Sequence, residues 1–386
     1  MLLAMAAAYC VGQTATAPDQ QRQTALALEQ QGNNVEAEAA WRAYLKAYPS
    51  SPEAYAHLGL LEARQEHYDQ AVPLYRKALA MNSTIPGLRL NLGLALFKAG
   101  ETKQALQTFR PLFNAAPPSS PDHQRLTILV GMCYYGLGEY TQAAVYLKQA
   151  AAREPQNLPL RLSLAHSCLW SKQYQCVLDT YREILQLNPD SGEADMLAGE
   201  ALDEMKDASG AIEDFRAAVK ADPTMPDVHF GLGYLLWTKR QYPEAARELQ
   251  AELDNNPNHA QALTYLADSE LELGHPELAA PLLEKAIRID PGIERARLDL
   301  GTIAADADRR DQAIQELKAA LKLAPNDVNV HWRLGRLYRA MGKREEAEAE
   351  FGKAKSITQA ADDALVNKMS PHPAQTQTPA AVPAGK

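Results

Sequence analysis

Runs of β-branched residues are scarce in this 386-residue chain, and Ala and Leu dominate instead, which favours helix over strand. Clustered Lys and Arg are also missing. The 39 basic side chains are dispersed among 48 acidic ones, for a formal charge of −9. Nucleic-acid binders carry a basic face or stripe, so neither nucleic acid nor an anionic membrane surface is an expected partner. The mild acidic excess reads as a solvated surface. Long apolar runs are absent as well. Met1–Val11 is apolar and uncharged, but a bilayer takes about 20 residues, so no transmembrane segment is expected.

Catalytic signatures are missing in the same way. There is no H-E-x-x-H, no G-x-S-x-G and no pair of cysteines at zinc spacing. Gly136-Leu137-Gly138 and Gly231-Leu232-Gly233 superficially suggest phosphate loops, but no strand precedes either. The histidines are scattered, with His57, His166, His229 and His331 falling singly on predicted helices. No cofactor, no metal and no catalytic residue is expected.

The apolar Met1–Val11 does have the length of a signal-peptide core, and Ala15-Thr16-Ala17 supplies an A-x-A cleavage site before Pro18. Residues 1–17 are therefore expected to be a signal peptide cleaved after Ala17, and the protein to be exported, periplasmic or secreted. The positive stretch that usually precedes such a core is missing. That leaves open a retained apolar extension of a cytoplasmic protein, or lipidation at Cys10.

A repeat organises the rest. Pro155, Pro189, Pro223, Pro257, Pro291 and Pro325 are spaced by 34 residues, and Pro49 and Pro117 by two such periods, with Ser83 in the vacant slot. Ser120–His123 marks a four-residue insertion. Ten units start at Pro18, Pro52, Pro86, Gln124, Leu158, Gly192, Pro226, Ala260, Glu294 and Val328. Their eighth position is always Gly or Ala: Ala25, Gly59, Gly93, Gly131, Ala165, Gly199, Gly233, Ala267, Gly301, Gly335. Their twentieth is Ala except at Val177, and their twenty-fourth is large, as in Trp41, Tyr75, Phe109 and Phe351. Two small columns predict two antiparallel helices approaching to about 8 Å rather than 10 Å, with large side chains around the contact. Gly32, Gly100, Gly138, Gly274 and Gly342 fall where the first helix must stop in a left-handed conformation. Pairs such as Asn188-Pro189 and Asp222-Pro223 close the second.

This pattern resembles the tetratricopeptide repeat family over residues 18–359. The resemblance implies an all-α solenoid, a right-handed superhelix of ten helix–turn–helix repeats, whose first helices line a concave face that grips a protein or peptide partner. Residues 360–370 are expected to form a short capping helix over the last repeat. The Pro/Ala/Thr tail at 371–386 is expected to be disordered.

Family resemblance places the second, fifth, ninth, twelfth and thirteenth positions of each repeat in the groove. Those columns give Phe97, Met132, Tyr135, His166, Leu169 and Trp170, then an acidic Glu200, Asp203 and Glu204. Phe230, Tyr234 and Trp237 follow, then Asp268, Glu272 and Asp306, and a basic, aromatic end at Trp332, Arg336 and Arg339. Exposed aromatics gathered on one surface suggest a binding patch, although individual rings could instead pack against neighbouring repeats. The ninth column, from Leu26 to Arg336, lacks the basic and Asn residues of carboxylate-clamp members of the family, so an acidic chaperone tail is not the expected partner.

The C-x7-C spacing of Cys168 and Cys176 resembles the disulfide of the secreted Sel1-like repeats, cousins of this fold. A bridge there and a pair of buried thiols both remain open, and Cys133 is read as core. The expected function is that of a non-enzymatic protein–protein interaction scaffold, in envelope assembly or secretion. A cytoplasmic adaptor is the alternative. An enzyme using paired acids such as Asp203 and Asp268 has no recognisable supporting residues.

Overall fold

The structure is a computed structural model that describes residues 17–369, with side chains described for 19–365. The expected disordered tail at 371–386 and all but the last residue of the expected signal peptide lie outside the described residues. Among them every regular element is a helix, and they form two compact units that divide between Lys206 and Asp207.

The first unit holds α1 (Ala17–Gln30), α2 (Asn34–Ala47), α3 (Pro52–Arg64), α4 (Tyr68–Met81), α5 (Leu88–Lys98), α6 (Thr102–Ala115), α7 (Pro121–Gly136), α8 (Tyr140–Arg153), α9 (Leu158–Trp170), α10 (Tyr174–Leu187) and α11 (Gly192–Glu204). The second holds α12 (Ala208–Ala221), α13 (Val228–Thr238), α14 (Tyr242–Asn255), α15 (Ala260–Glu272), α16 (Pro276–Ile289), α17 (Glu294–Asp306), α18 (Arg310–Leu323), α19 (Val328–Ala340) and α20 (Arg344–Met369). Within each unit, helices pack against their chain neighbours and, more lightly, against the next helix but one. That is the topology of an α-solenoid of helix–turn–helix repeats.

The space left by the eighth-position glycine is filled by the large twenty-fourth residue of the same repeat. A Cβ on Gly59 would lie 2.8 Å from the Tyr75 ring, one on Gly233 2.7 Å from Leu249, and one on Gly301 2.9 Å from Leu317. Phe109, Leu147, Leu249 and Leu317, which sit opposite such glycines, are wholly buried, as is Trp41 opposite Ala25. The alanine column is buried as well, from Ala37 to Ala347. The physical rule is therefore a large side chain seated in the notch of a glycine, which gains area and contact together.

Every first helix ends in the left-handed region. Five repeats use glycine there, at Gly32, Gly100, Gly138, Gly274 and Gly342, and the other five hold Glu66, Lys172, Lys206, Arg240 and Asp308 at φ between 55° and 68°. The insertion at Ser120–His123 extends a helix rather than a loop. It makes α7 sixteen residues long, capped by the Ser120 hydroxyl, which accepts from the His123 amide.

Residues 360–369 form no separate helix. They continue α20, which runs 26 residues without a break, because neither Gly nor Pro interrupts the segment between Gly352 and Pro371. Residues 358–365 are exposed, so this stretch does not cover the last repeat.

Candidate functional site

The expected groove residues all lie on first helices and divide between the units. In the first unit, Tyr135 lies in the last turn of α7 and Trp170 ends α9, and their ring centroids lie 5.9 Å apart. Tyr140 fits between them, 4.5 Å from Trp170 and 6.1 Å from Tyr135, and the His166 ring stands 5.1 Å from Trp170. His166 Nε2 pairs with Glu193 at 2.9 Å, and this bond holds the Glu193 carboxyl below its ordinary range. Burial pushes the Tyr135 phenol up, with Tyr140 and Glu193 adding to it. Trp170 remains 48% exposed despite these neighbours. Phe97 stands apart, packed against the hydrophobic core. Glu200 and Asp203 are half-buried on α11.

In the second unit, Phe230, Tyr234 and Trp237 are spaced by four and three residues on α13 and so share one stripe. Tyr265 of α15 closes on them at 6.2, 5.1 and 4.9 Å, and His259 stacks on Phe230 at 4.5 Å. The array ends in a polar knot. Trp237 Nε1 donates to Asp268, Arg295 Nη2 donates to the same carboxylate at 2.8 Å, and the Arg295 guanidinium lies 4.6 Å over the Trp237 ring. Asp268, expected as an open acid of the groove, is buried, and Arg295 and Trp237 engage it. Trp332 and Arg336, on α19, are exposed, and the Trp332 ring contacts Phe351 at 4.8 Å.

Three residues around these clusters, Tyr140, Tyr265 and Asp299, lie outside the five groove columns, and Arg295 lies within one of them. Tyr140 belongs to a visible tyrosine column at position seventeen, with Tyr68, Tyr174 and Tyr242. Tyr265 and Asp268 of α15 meet Arg295 of α17 only through the packing of successive first helices, and Asp299 follows Arg295 by one turn of α17. Arg295 does occupy a second-position slot, where a reading for aromatic and acidic character passes over it.

Asp227, Glu252 and His259 bring ligand-type atoms within 4.8 Å of one another, as a metal site would. Their bonding already assigns them another role. His259 Nδ1 accepts from the Ala262 amide at 3.1 Å and caps α15, so Nε2 carries the proton that faces Asp227, also at 3.1 Å. An ion on Nε2 would have to displace that proton and disturb the cap. Glu252 accepts from the Phe230 amide at 3.2 Å.

Cys168 and Cys176 are joined by a disulfide, Cα–Cα 5.8 Å, tying the end of α9 to the start of α10. Cys133 is free and buried, and burial pushes its thiol up to about 12.

One tetratricopeptide repeat family matches residues 22–86, 178–226 and 230–292, and a second, also described as tetratricopeptide repeat, matches 62–127, 134–199, 270–327 and 304–366. The chain belongs to the tetratricopeptide repeat family, whose members are generally protein-interaction scaffolds. It is similar to the TPR repeat-containing protein YpiA of Bacillus subtilis (strain 168), with 23% identity over 284 residues, covering 71% of this chain and 66% of the relative. It is also similar to BBSome complex member BBS4 of Mus musculus, 26% identical over 244 residues, covering 53% of this chain and 46% of the relative. The chain thus spans two thirds or less of these relatives' lengths. Among solved structures it is similar to YrrB, described as a TPR protein with an unusual peptide-binding site, at 21% identity and TM-score 0.41, covering 49% of this chain and 97% of that one.

Proposed function

We propose that this protein is a non-enzymatic scaffold that captures a segment of a partner protein on the first-helix face of its repeats, and that it does so outside the cytoplasm, in envelope assembly or secretion. The observation that carries the capture is the pair of aromatic clusters, Tyr135–Tyr140–Trp170 and Phe230–Tyr234–Trp237–Tyr265, all on first helices except Tyr140, which opens the second helix α8. Aromatic rings left accessible in water anchor partner side chains at low entropic cost. The Cys168–Cys176 bridge supports export, because disulfides persist in oxidising compartments.

The enzymatic alternative finds no support in Asp203 and Asp268. They belong to different units, and Asp268 is already engaged by Trp237 and Arg295. Replacing Trp170 and Trp237 by Ala should reduce partner recovery in pull-downs from the native host while the circular dichroism spectrum stays helical. Recovery equal to wild type would refute the capture reading. N-terminal sequencing of the mature protein tests export separately: a start at Pro18 is expected, and retained Met1 would count against it.

A further inference from the structure

A cleft of about 680 Å³ opens among α15, α16, α17 and α19 of the second unit. Its walls carry five carboxylates, Asp268, Glu272, Glu277, Asp299 and Asp306, against two guanidiniums, Arg309 and Arg333. Glu272, Glu277 and Asp306 are exposed, whereas Asp268 and Asp299 are 6% and 8% exposed. Asp268 has its partners. Asp299 has only a long ion pair: its Oδ2 accepts no hydrogen bond, and Arg295 Nε, itself without a hydrogen-bond acceptor, stands 3.8 Å away. A buried carboxylate oxygen without a donor is costly, and it lines an open cleft with an acid excess.

The carboxylates are spread out, which fits a compact ion poorly. The only group of three metal-ligand atoms within 4.8 Å among the described residues is the Asp227 trio, away from this cleft. An elongated, weakly hydrated organic cation suits dispersed carboxylates better. The guanidinium is the side-chain cation most readily desolvated, and it offers donors in a planar fork.

We propose that the Asp299 cleft receives an arginine side chain of a partner protein, Asp299 supplying the buried acceptor and Asp306 and Glu272 the outer carboxylates. The inference rests on the partner-capture reading and names the side chain captured. Occupancy is coupled to pH. Burial first, and the neighbouring Asp268 second, push the Asp299 carboxyl up to about 7, against Arg295 and Arg333, which lower it, while Glu294 adds to the rise. Glu277 on α16 and Arg309 before α18 are the other charged groups lining the cleft. The cation favours the ionised form, so affinity should grow as pH rises from 6 to 8.

The test uses the full chain labelled with ¹⁵N at tryptophan, reading the Trp237 indole resonance assigned by its loss in Trp237→Phe. N-acetyl-arginine amide should shift it saturably, N-acetyl-glutamine amide should not, and Asp299→Asn should weaken the arginine ligand at least about ten-fold. Binding to wild type should be stronger at pH 8 than at pH 6, a comparison that needs no variant and decides the matter if Asp299→Asn fails to fold. No shift with the arginine amide, an equal shift with the glutamine amide, undiminished binding by folded Asp299→Asn, or displacement by millimolar Mg²⁺ or Ca²⁺ would each overturn the proposal. The single amino-acid probe needs no extended groove. Its binding can therefore stand when Trp170→Ala and Trp237→Ala leave partner recovery unchanged, and fail when they abolish it.

Discussion

At the scale of single residues, the turn after each first helix shows how strictly the fold imposes one backbone conformation. Position fifteen is left-handed in all ten repeats, whether or not the residue is glycine. An L-residue there costs about 1–2 kcal/mol, partly offset by the greater freedom glycine brings to the unfolded chain. Glu66→Gly and Arg240→Gly should therefore each stabilise the protein by up to about 1 kcal/mol, measured by urea denaturation. A loss of stability would mean that those side chains contribute contacts that outweigh the strain. Five of these turns were legible in sequence as glycines. The other five carried no residue signal and followed only from the repeat register. Asp299 is the opposite case. Its identity was plain, but nothing in its place along the chain announced that it would be buried without a donor.

At the scale of elements, the repeat is a large side chain seated in the glycine notch of its partner helix, and repeat five departs from the pattern. Val177 replaces the alanine, Lys172 replaces the turn glycine, and Tyr181 at position twenty-four is only half-buried. The Cys168–Cys176 bridge spans that hairpin with a sequence separation of 8, a loop whose closure is worth about 2–3 kcal/mol in the chain-entropy model. Reduction with dithiothreitol should lower the melting temperature and expose α9 and α10 to hydrogen exchange before other helices. Equal protection in reduced and oxidised protein would show the bridge to be mechanically idle. Helix existence and order were readable from periodicity, because a small–large–proline column leaves few ways to stack. The fate of 360–369 was not: composition suggested a cap, and the absence of a breaker made it a continuation of α20 instead.

At the scale of the whole molecule, each helix depends on its neighbours along the chain, so damage should stay local. Phe109→Ala removes a wholly buried ring from the first unit and should cost about 3–5 kcal/mol there. Hydrogen-exchange mass spectrometry should show lost protection centred on α5–α8, with α13–α20 protected as in wild type. Uniform loss along the chain would reveal cooperativity beyond neighbouring repeats.

The sequence by itself determined the class, the register and the number of repeats, because a period of 34 residues with two small columns can bury its apolar face only by stacking hairpins. It also marked which helix faces carry the aromatic side chains. Only the tertiary structure decided that Tyr265 would complete the array begun by Phe230, Tyr234 and Trp237, that Asp268 would be engaged by Trp237 and Arg295, and that Asp299 would be left facing a cleft without a donor. The reason is physical: a periodic pattern specifies what repeats, whereas these contacts join one helix to the next helix but one, where side chains unlike those in other repeats meet.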